Sequence, residues 1–212
     1  MNGCRAAFAA FLDSLGLPEG DRVLAGFDRY HALLLEKNRH LNLFSRATPA
    51  EELWTKHFLD SLLPLKCVDF MGKKALDFGS GGGLPGIPLK LAVPECRLTL
   101  LDSVRKKTDA LRELVEQLEL VGTDVVCSRL EDYHAAGDFD LILMRAVRLE
   151  ERYLKPLRRL LAPSGQLLCY KARELADIAP YGPKLLMQEE FDWGGRSLYG
   201  LRRAQLTRKQ DV

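Results

Sequence analysis

Ala75-Leu76-Asp77-Phe78-Gly79-Ser80-Gly81-Gly82-Gly83-Leu84-Pro85-Gly86 decides how the rest of this chain is read. An apolar run closes on an acid, and glycines then recur at alternate positions. The run suits a buried strand and the glycines a tight loop ahead of a helix. Without side chains, such a loop takes left-handed dihedrals and lets a nucleoside ligand approach its backbone. Glycine-rich turns also serve as plain connectors, so the chemistry has to come from the residues around them.

Downstream of Lys73 the pattern is strand alternating with helix. Strands are expected at 74–78, 97–102, 124–127, 140–144, 166–171, 185–191 and 197–202, with the clearest helices at 105–118 and 150–161. Alternation of this kind implies right-handed crossovers and an α/β, mostly parallel seven-stranded sheet covered on both faces. Ligands then bind at the carboxyl ends of the strands, where the strand order reverses.

Upstream, the pattern is helical. Phe8, Phe11, Leu12 and Leu15 share one face of an amphipathic helix, and Asp13 interrupts what would otherwise resemble a signal peptide. A second helix is expected from Pro18, with Val23, Phe27, Tyr30, Leu34 and Asn38 at three- and four-residue spacing. Thr48-Pro49-Ala50-Glu51 reads as a capping box with Thr48 at N-cap, opening a helix that stops before Pro64. The division is therefore a helical extension, 1–72, followed by a sheet domain, 73–212.

The cofactor follows from the loop's neighbours. The glycine order is G-x-G-x-G, with Leu84 where a dinucleotide fingerprint has its third glycine, and no G-K-S/T follows. Asp77 suits the ammonium of an amino-acid moiety and would repel a pyrophosphate. Asp102 ends the second strand about 20 positions after Gly79, where an acid accepts hydrogen bonds from ribose hydroxyls; its plainer role is an N-cap. Gly79, Gly81, Gly83 and Leu84 line the bend, and Leu130 and Glu131 stand where an apolar side chain and an acid can sandwich and read an adenine ring. Glu131 also reads as an ordinary exposed acid. Together these favour S-adenosylmethionine over a nicotinamide dinucleotide.

The acceptor is narrowed by what the rim lacks. No N/D-P-P-aromatic turn, as used for exocyclic amines, follows the fourth strand, and no cysteine stands where C5 methylation needs a nucleophile. An acceptor whose lone pair attacks unaided remains, such as guanine N7. Arg145, in Met144-Arg145-Ala146, is the catalytic candidate: it can orient guanine through O6 while leaving N7 free. A strand-end salt bridge is its structural alternative.

Net charge is only +2, so an anionic partner must be met by local basic patches. Lys106, Lys107, Arg129, Arg145, Lys171 and Arg173 come from separate strand ends that converge, which suits a phosphate-tracking groove. Arg39, His40, Arg46, Lys56 and His57 extend it upstream. His57 and Asp60 share a helical face, as a catalytic pair or as a structural bond between extension and core. Cys4, Cys67, Cys96, Cys127 and Cys169 are scattered and never spaced as C-x-x-C, implying reduced, mostly buried thiols, a cytoplasmic setting and no metal site. No apolar run approaches membrane-spanning length. The rival readings are a nicotinamide dehydrogenase and a non-catalytic RNA-binding or assembly factor.

Several motifs together resemble one family: Leu41-Asn42-Leu43 with Ser45, His57-Phe58-Leu59-Asp60-Ser61, Leu76-Asp77-Phe78-Gly79 through Pro85-Gly86-Ile87-Pro88-Leu89, Leu100-Leu101-Asp102-Ser103, Ser128-Arg129-Leu130-Glu131 and Arg145-Ala146. The chain is similar over nearly its whole length to the bacterial 16S ribosomal RNA guanine-N7 methyltransferases, the RsmG or glucose-inhibited division protein B family. The resemblance implies a class I S-adenosylmethionine-dependent methyltransferase fold, Rossmann-like, with a helical extension. It implies methyl transfer to one guanine N7 of 16S ribosomal RNA, as naked RNA or within the small ribosomal subunit; the chain is expected to act as a monomer without a metal. It carries cofactor contacts to Gly79, Leu84, Leu130, Glu131 and Arg145, and RNA contacts to Lys106, Arg129 and Lys171. Ala172, where the family often has glycine, and the loosely matching Trp193–Leu198 stretch around Arg196 are departures.

Overall fold

Nearly continuous burial along the central strands builds a sheet with two apolar faces. In the computed structural model, which describes residues 3–134, 138–172 and 174–207, seven strands form one sheet in the order β3-β2-β1-β4-β5-β7-β6. They are β1 (Lys74–Phe78), β2 (Arg97–Asp102), β3 (Thr123–Cys127), β4 (Phe139–Arg145), β5 (Leu161–Lys171), β6 (Lys184–Glu189) and β7 (Arg196–Arg202). The first five are parallel and β7 is antiparallel to both its neighbours. The order reverses between β1 and β4, so the loops after those strands face each other across the switch point. The C-terminal hairpin inserts its second strand: β7, with Leu198, Gly200 and Leu201 buried, lies inside, while the more exposed β6 forms the edge. Alternation in these short strands does not reveal that order. β6 also stops at Glu189, short of the expected 191, because Phe191 leaves the sheet to stack on Trp193.

Along β1, β2, β4 and β5 alternate residues go to opposite faces. Ala75, Leu98, Leu100, Leu143 and Leu168 join one core, whereas Leu76, Leu101, Ile142 and Leu167 join the other. The second core is closed by α6 (Glu151–Leu160) through Leu154, Leu157 and Leu160. The first is covered by α4 (Gly86–Ala92) and α5 (Arg105–Gln117), and it continues without a break into the amino-terminal helices.

That amino-terminal layer consists of α1 (Gly3–Ser14), α2 (Gly20–Asn38) and a third, irregular helical stretch. Phe8, Phe27, Tyr30, Trp54 and Phe58 pack ring against ring at its centre, Phe8 and Phe27 edge to face at 4.7 Å. α2 begins at Gly20, two residues past Pro18, behind Glu19 in a left-handed conformation. The expected capping box does not form. Pro49 is extended (ψ 143°), so the helix opens only at Ala50, as a 3-10 turn with no side-chain cap. A π-helical segment Leu53–Leu59, then α3 (Asp60–Leu62) and a 3-10 turn Leu63–Lys66 follow, so the helical path runs through Pro64. Pro64 fits because it sits in the first turn of the last piece, where its missing N–H is not needed.

Two buried polar groups tie this layer to the glycine loop. The Tyr30 hydroxyl donates to the Gly82 carbonyl at 2.7 Å. Asn38 Oδ1 accepts from the N–H groups of Leu43 (2.8 Å) and Phe44 (3.2 Å), folding 39–44 back so that Leu43 lies against Gly81 and Gly82. Tyr30→Phe leaves the Gly82 carbonyl buried without its donor; a loss of about 1–3 kcal/mol in urea denaturation is expected.

Candidate active site

The bend after β1 is built from left-handed glycines: Gly79 at φ 78°, Gly81 at 56° and Gly83 at 91°. A Cβ on Gly83 would fall 2.4 Å from Ile87 Cδ1, and one on Gly79 2.8 Å from Val147 Cγ2. Gly81 is different: a Cβ there would make only ordinary contact, with the Leu43 carbonyl at 3.6 Å and the Gly79 carbonyl at 3.9 Å, so the left-handed backbone and not lack of space calls for glycine. The N–H groups of Gly79 and Ser80 both reach the Leu101 carbonyl, and the Ser80 hydroxyl returns to the Asp77 carbonyl. The loop is thus fixed to the ends of β1 and β2 before any ligand arrives.

Its two acids have distinct settings. Asp102 accepts from Gly81 N–H through Oδ2 (3.0 Å) and from Val104 N–H through Oδ1 (2.9 Å). It therefore braces the loop and closes the turn into α5 while keeping lone pairs for further donors. Asp77 is wholly buried; Oδ2 accepts from Gly86 N–H at 2.9 Å, and Oδ1 has no partner. Burial pushes its carboxyl up to about 7, against the pull of the Gly86 N–H and the Arg145 charge. The acid expected to face an ammonium thus lies beneath the loop, holding the start of α4. Leu84 joins Pro85 through a cis peptide and is buried, as is Leu130, which packs in the core beside Leu101. Glu131 stands half-buried at the rim, 3.7 Å from Arg152 Nε.

This edge fits S-adenosylmethionine by its own chemistry. It combines a left-handed glycine backbone at the switch point, a carboxylate with spare acceptor capacity, and an orphaned buried acceptor on Asp77. Among the described residues no His, Cys, Asp or Glu cluster suits a metal ion. A separate cavity of about 210 Å³, lined by Lys74, Arg97 and Thr99, opens at the opposite, amino-terminal edge of the sheet.

Arg145, at the end of β4, is held by the extension. Its Nη1 donates to Asp60 Oδ2 (2.8 Å) and to the His57 carbonyl (3.3 Å), and Nη2 approaches His57 Nδ1 at 3.2 Å. Guanidinium only donates, so Nδ1 is the acceptor and the His57 proton sits on Nε2. The salt-bridge reading is therefore realised, yet two of five N–H groups remain for a ligand. His57 and Asp60 do not pair with each other; Arg145 lies between them. Asp60 Oδ1 lies 3.1 Å from Arg196 Nε, and that guanidinium covers Trp193 at 4.4 Å. Burial, then the charges of Arg145, Arg196 and Lys56, pushes His57 down to about 4, so its imidazole is neutral.

The basic residues divide. Lys106 and Arg129 are exposed. Lys171 is not: its ammonium binds both oxygens of Asp177 at 2.8 and 2.6 Å in a nearly buried pair, and Asp177 also accepts from Leu149 N–H. Burial opposes ionisation of Asp177, but Lys171 and the Leu149 N–H together hold its carboxyl below the ordinary range. Lys171 thus pins the loop after β4. Arg173 lies outside the described residues. Of the cysteines only Cys96 and Cys169 are buried, and Cys67 is exposed. Sequence reasoning missed Asp177 and the bracing roles of Tyr30 and Asn38. A polar residue such as Asn38 on an otherwise apolar helix face was the available signal.

Two outcomes follow. Lys171→Ala strands a buried carboxylate and should cost about 3–5 kcal/mol in denaturation. For His57, held near 4 against an ordinary 6.5, stability is present above about pH 6.5 and lost as pH falls toward 4. For Asp77, raised from 3.8 to about 7, stability is present below about pH 4 and lost as pH rises through 7. The stability gap between the parent and His57→Gln should therefore shrink toward acid by up to roughly 3 kcal/mol, and that for Asp77→Asn should change in the opposite sense; denaturation midpoints across pH 4–8 check both.

Comparison with known proteins agrees with this geometry. Residues 24–189 match the family model GidB, rRNA small subunit methyltransferase G. A protein named ribosomal RNA small subunit methyltransferase G from Oenococcus oeni is 33% identical over 195 residues, covering 89% of this chain and 78% of its own. One of the same name from Hydrogenovibrio crunogenus is 36% identical, with 81% and 78% covered. In fold, the chain is similar to a SAM-dependent methyltransferase from Aquifex aeolicus (TM-score 0.52, 17% identity, 62% of this chain and 83% of that one). It is also similar to the PH0226 protein of Pyrococcus horikoshii (TM-score 0.57, 14% identity, 79% and 99%). With its sheet order, its braced glycine bend and this match over most of its length, the chain belongs to the GidB family, the rRNA small subunit methyltransferases G.

Proposed function

We propose that this chain transfers the methyl group of S-adenosylmethionine to N7 of one guanine in 16S ribosomal RNA, acting as a cytoplasmic monomer. The observation that carries the reading is the juxtaposition, at the switch point, of a pre-fixed glycine bend with an arginine that keeps two donors free. S-adenosylmethionine supplies an electrophilic methyl carbon on a sulfonium.

The chain's own residues bind and orient. Gly79, Gly81 and Gly83 present backbone without side chains, Asp102 accepts from ribose hydroxyls, and Leu84, Leu130 and Glu131 bound the adenine side. Asp77 supports the bend from beneath and offers its unpaired oxygen. Arg145 directs its remaining N–H groups to guanine O6 and leaves N7 uncapped. No general base is required, since N7 carries its lone pair already, and His57 is committed to Arg145 through Nδ1. Catalysis is then placement, an effect that supplies up to ~7–11 kcal/mol. Lys106 and Arg129 meet the RNA backbone, and Lys171 serves that surface by holding the β4 loop through Asp177. Among the described residues no helix is long and apolar enough to cross a membrane.

The test is incubation with labelled S-adenosylmethionine and small subunits, or their naked RNA, from cells lacking the gene, with N7-methylguanine mapped by chemical cleavage. One labelled guanine is expected; absence of label in every RNA form would overturn the reading. Arg145→Ala should lower kcat about 100-fold or more, well beyond any loss of S-adenosylhomocysteine affinity. Lys106→Ala should weaken RNA binding and reduce its salt slope by about 0.7–0.9, measured by filter binding.

A further inference from the structure

On the helical extension, next to the Leu43 that lies against the glycine loop, is a wide-mouthed surface cavity of about 380 Å³ lined by Leu35, Asn38, Arg39, Phe44, Arg46 and Thr48. Its size falls toward the lower end of the range for small-ligand sites, ~300–1,000 Å³, large enough for one nucleotide. Its chemistry is divided in the way a nucleotide is divided. Leu35 and Phe44 give an apolar floor, and the Arg39 and Arg46 guanidiniums stand at an exposed rim.

Neither of these arginine side chains has a hydrogen-bond or ion-pair partner among the described residues, although other cations of the extension do: Lys37 binds Glu113 and Lys56 binds Glu52. Asn38 commits its oxygen to the Leu43 and Phe44 N–H groups, which leaves its NH₂ as a donor. The hydroxyl of Thr48 adds a further polar group. The wall is continuous with the candidate active site on two sides. Leu43, next to Phe44, lies against Gly82, and the Phe44 ring is 6.0 Å from that of His57, which is bonded to Arg145.

We infer that this cavity holds a nucleotide flanking the target guanine. Its base or ribose would lie on Leu35 and Phe44, with its phosphate between Arg39 and Arg46. The inference rests on the RNA-methyltransferase reading for the identity of the strand and goes beyond it by assigning a second subsite on the helical extension. A single strand entering here would be fixed at two points, the guanine at Arg145 and its neighbour in the cavity. The extension would then contribute to selecting the acceptor as well as covering the core.

The test is RNA binding, which needs no methyl transfer. Small-subunit ribosomal RNA from cells lacking the gene is titrated with the full chain and three variants. Arg39→Ala/Arg46→Ala should weaken binding about tenfold and lower the salt slope by about 0.7, for the one single-strand phosphate that the two arginines share. Lys155→Ala/Arg158→Ala, which removes the same charge from α6 on the far face of the sheet, should change binding little. Thr48→Trp, which fills the cavity without altering charge, should weaken binding while keeping the parent's slope. S-adenosylhomocysteine affinity should be the same in all. Equal weakening by the two charge-removing variants, or no weakening by Thr48→Trp in a protein of normal thermal stability, would overturn the subsite. Should the parent bind RNA in this pattern yet transfer no methyl group, the proposed function fails and the subsite stands; should methylation proceed with the variants binding as the parent does, the reverse holds.

Discussion

A buried carboxylate between two guanidiniums organises the carboxyl edge of this protein. Asp60 is almost wholly shielded from water, and its oxygens face Arg145 and Arg196. A charge in that position is tolerated only while its partners stay in place, since removing one leaves several kcal/mol of uncompensated desolvation. The three residues come from the irregular helix of the extension, the end of β4 and the start of β7, segments far apart in sequence. Their mutual requirement fixes the extension against the sheet at the point where Arg145 must be aimed. His57 completes the arrangement because its neutral ring accepts from Arg145 and does not repel it.

The second constraint is conformational. Three left-handed glycines within five residues make a bend that would be mobile by itself. It is held from every side: by Leu101 below, Asp102 beside it, Asp77 under the start of α4, and Tyr30 and Leu43 from above. Such bracing lets a ligand bind without first ordering the loop, which is how preorganisation raises affinity. The helical extension is therefore part of what holds the glycine bend as much as it is a neighbour of it.

Most of the sheet was legible because its strands announce themselves as short apolar runs between helices and its loop by glycine spacing. Six strands fall within two residues of the expected limits, and the seventh, β5, departs only in its early start at Leu161. What stayed hidden depends on partners remote in sequence. The insertion of β7 between β5 and β6 depends on which hairpin strand carries the more buried face, a difference of two or three side chains. The failure of the capping box at Thr48 depends on how far Pro49 keeps the chain extended, and the π-helical turn that follows has no simple sequence mark. Within the site, the acids and glycines were evident from spacing, whereas the engagement of Lys171 required Asp177, which sits in a stretch with no pattern of its own.

The position of β7 also bears on biogenesis. Arg196 belongs to the last of these seven strands in chain order, yet that strand is interior and its first residue faces an acid laid down more than a hundred residues earlier. Until it emerges, the parallel strands can pair, but Asp60 faces a single guanidinium and β5 presents a bare edge. A nascent chain is thus kept from fastening the extension to the sheet through both arginines until synthesis has passed residue 202.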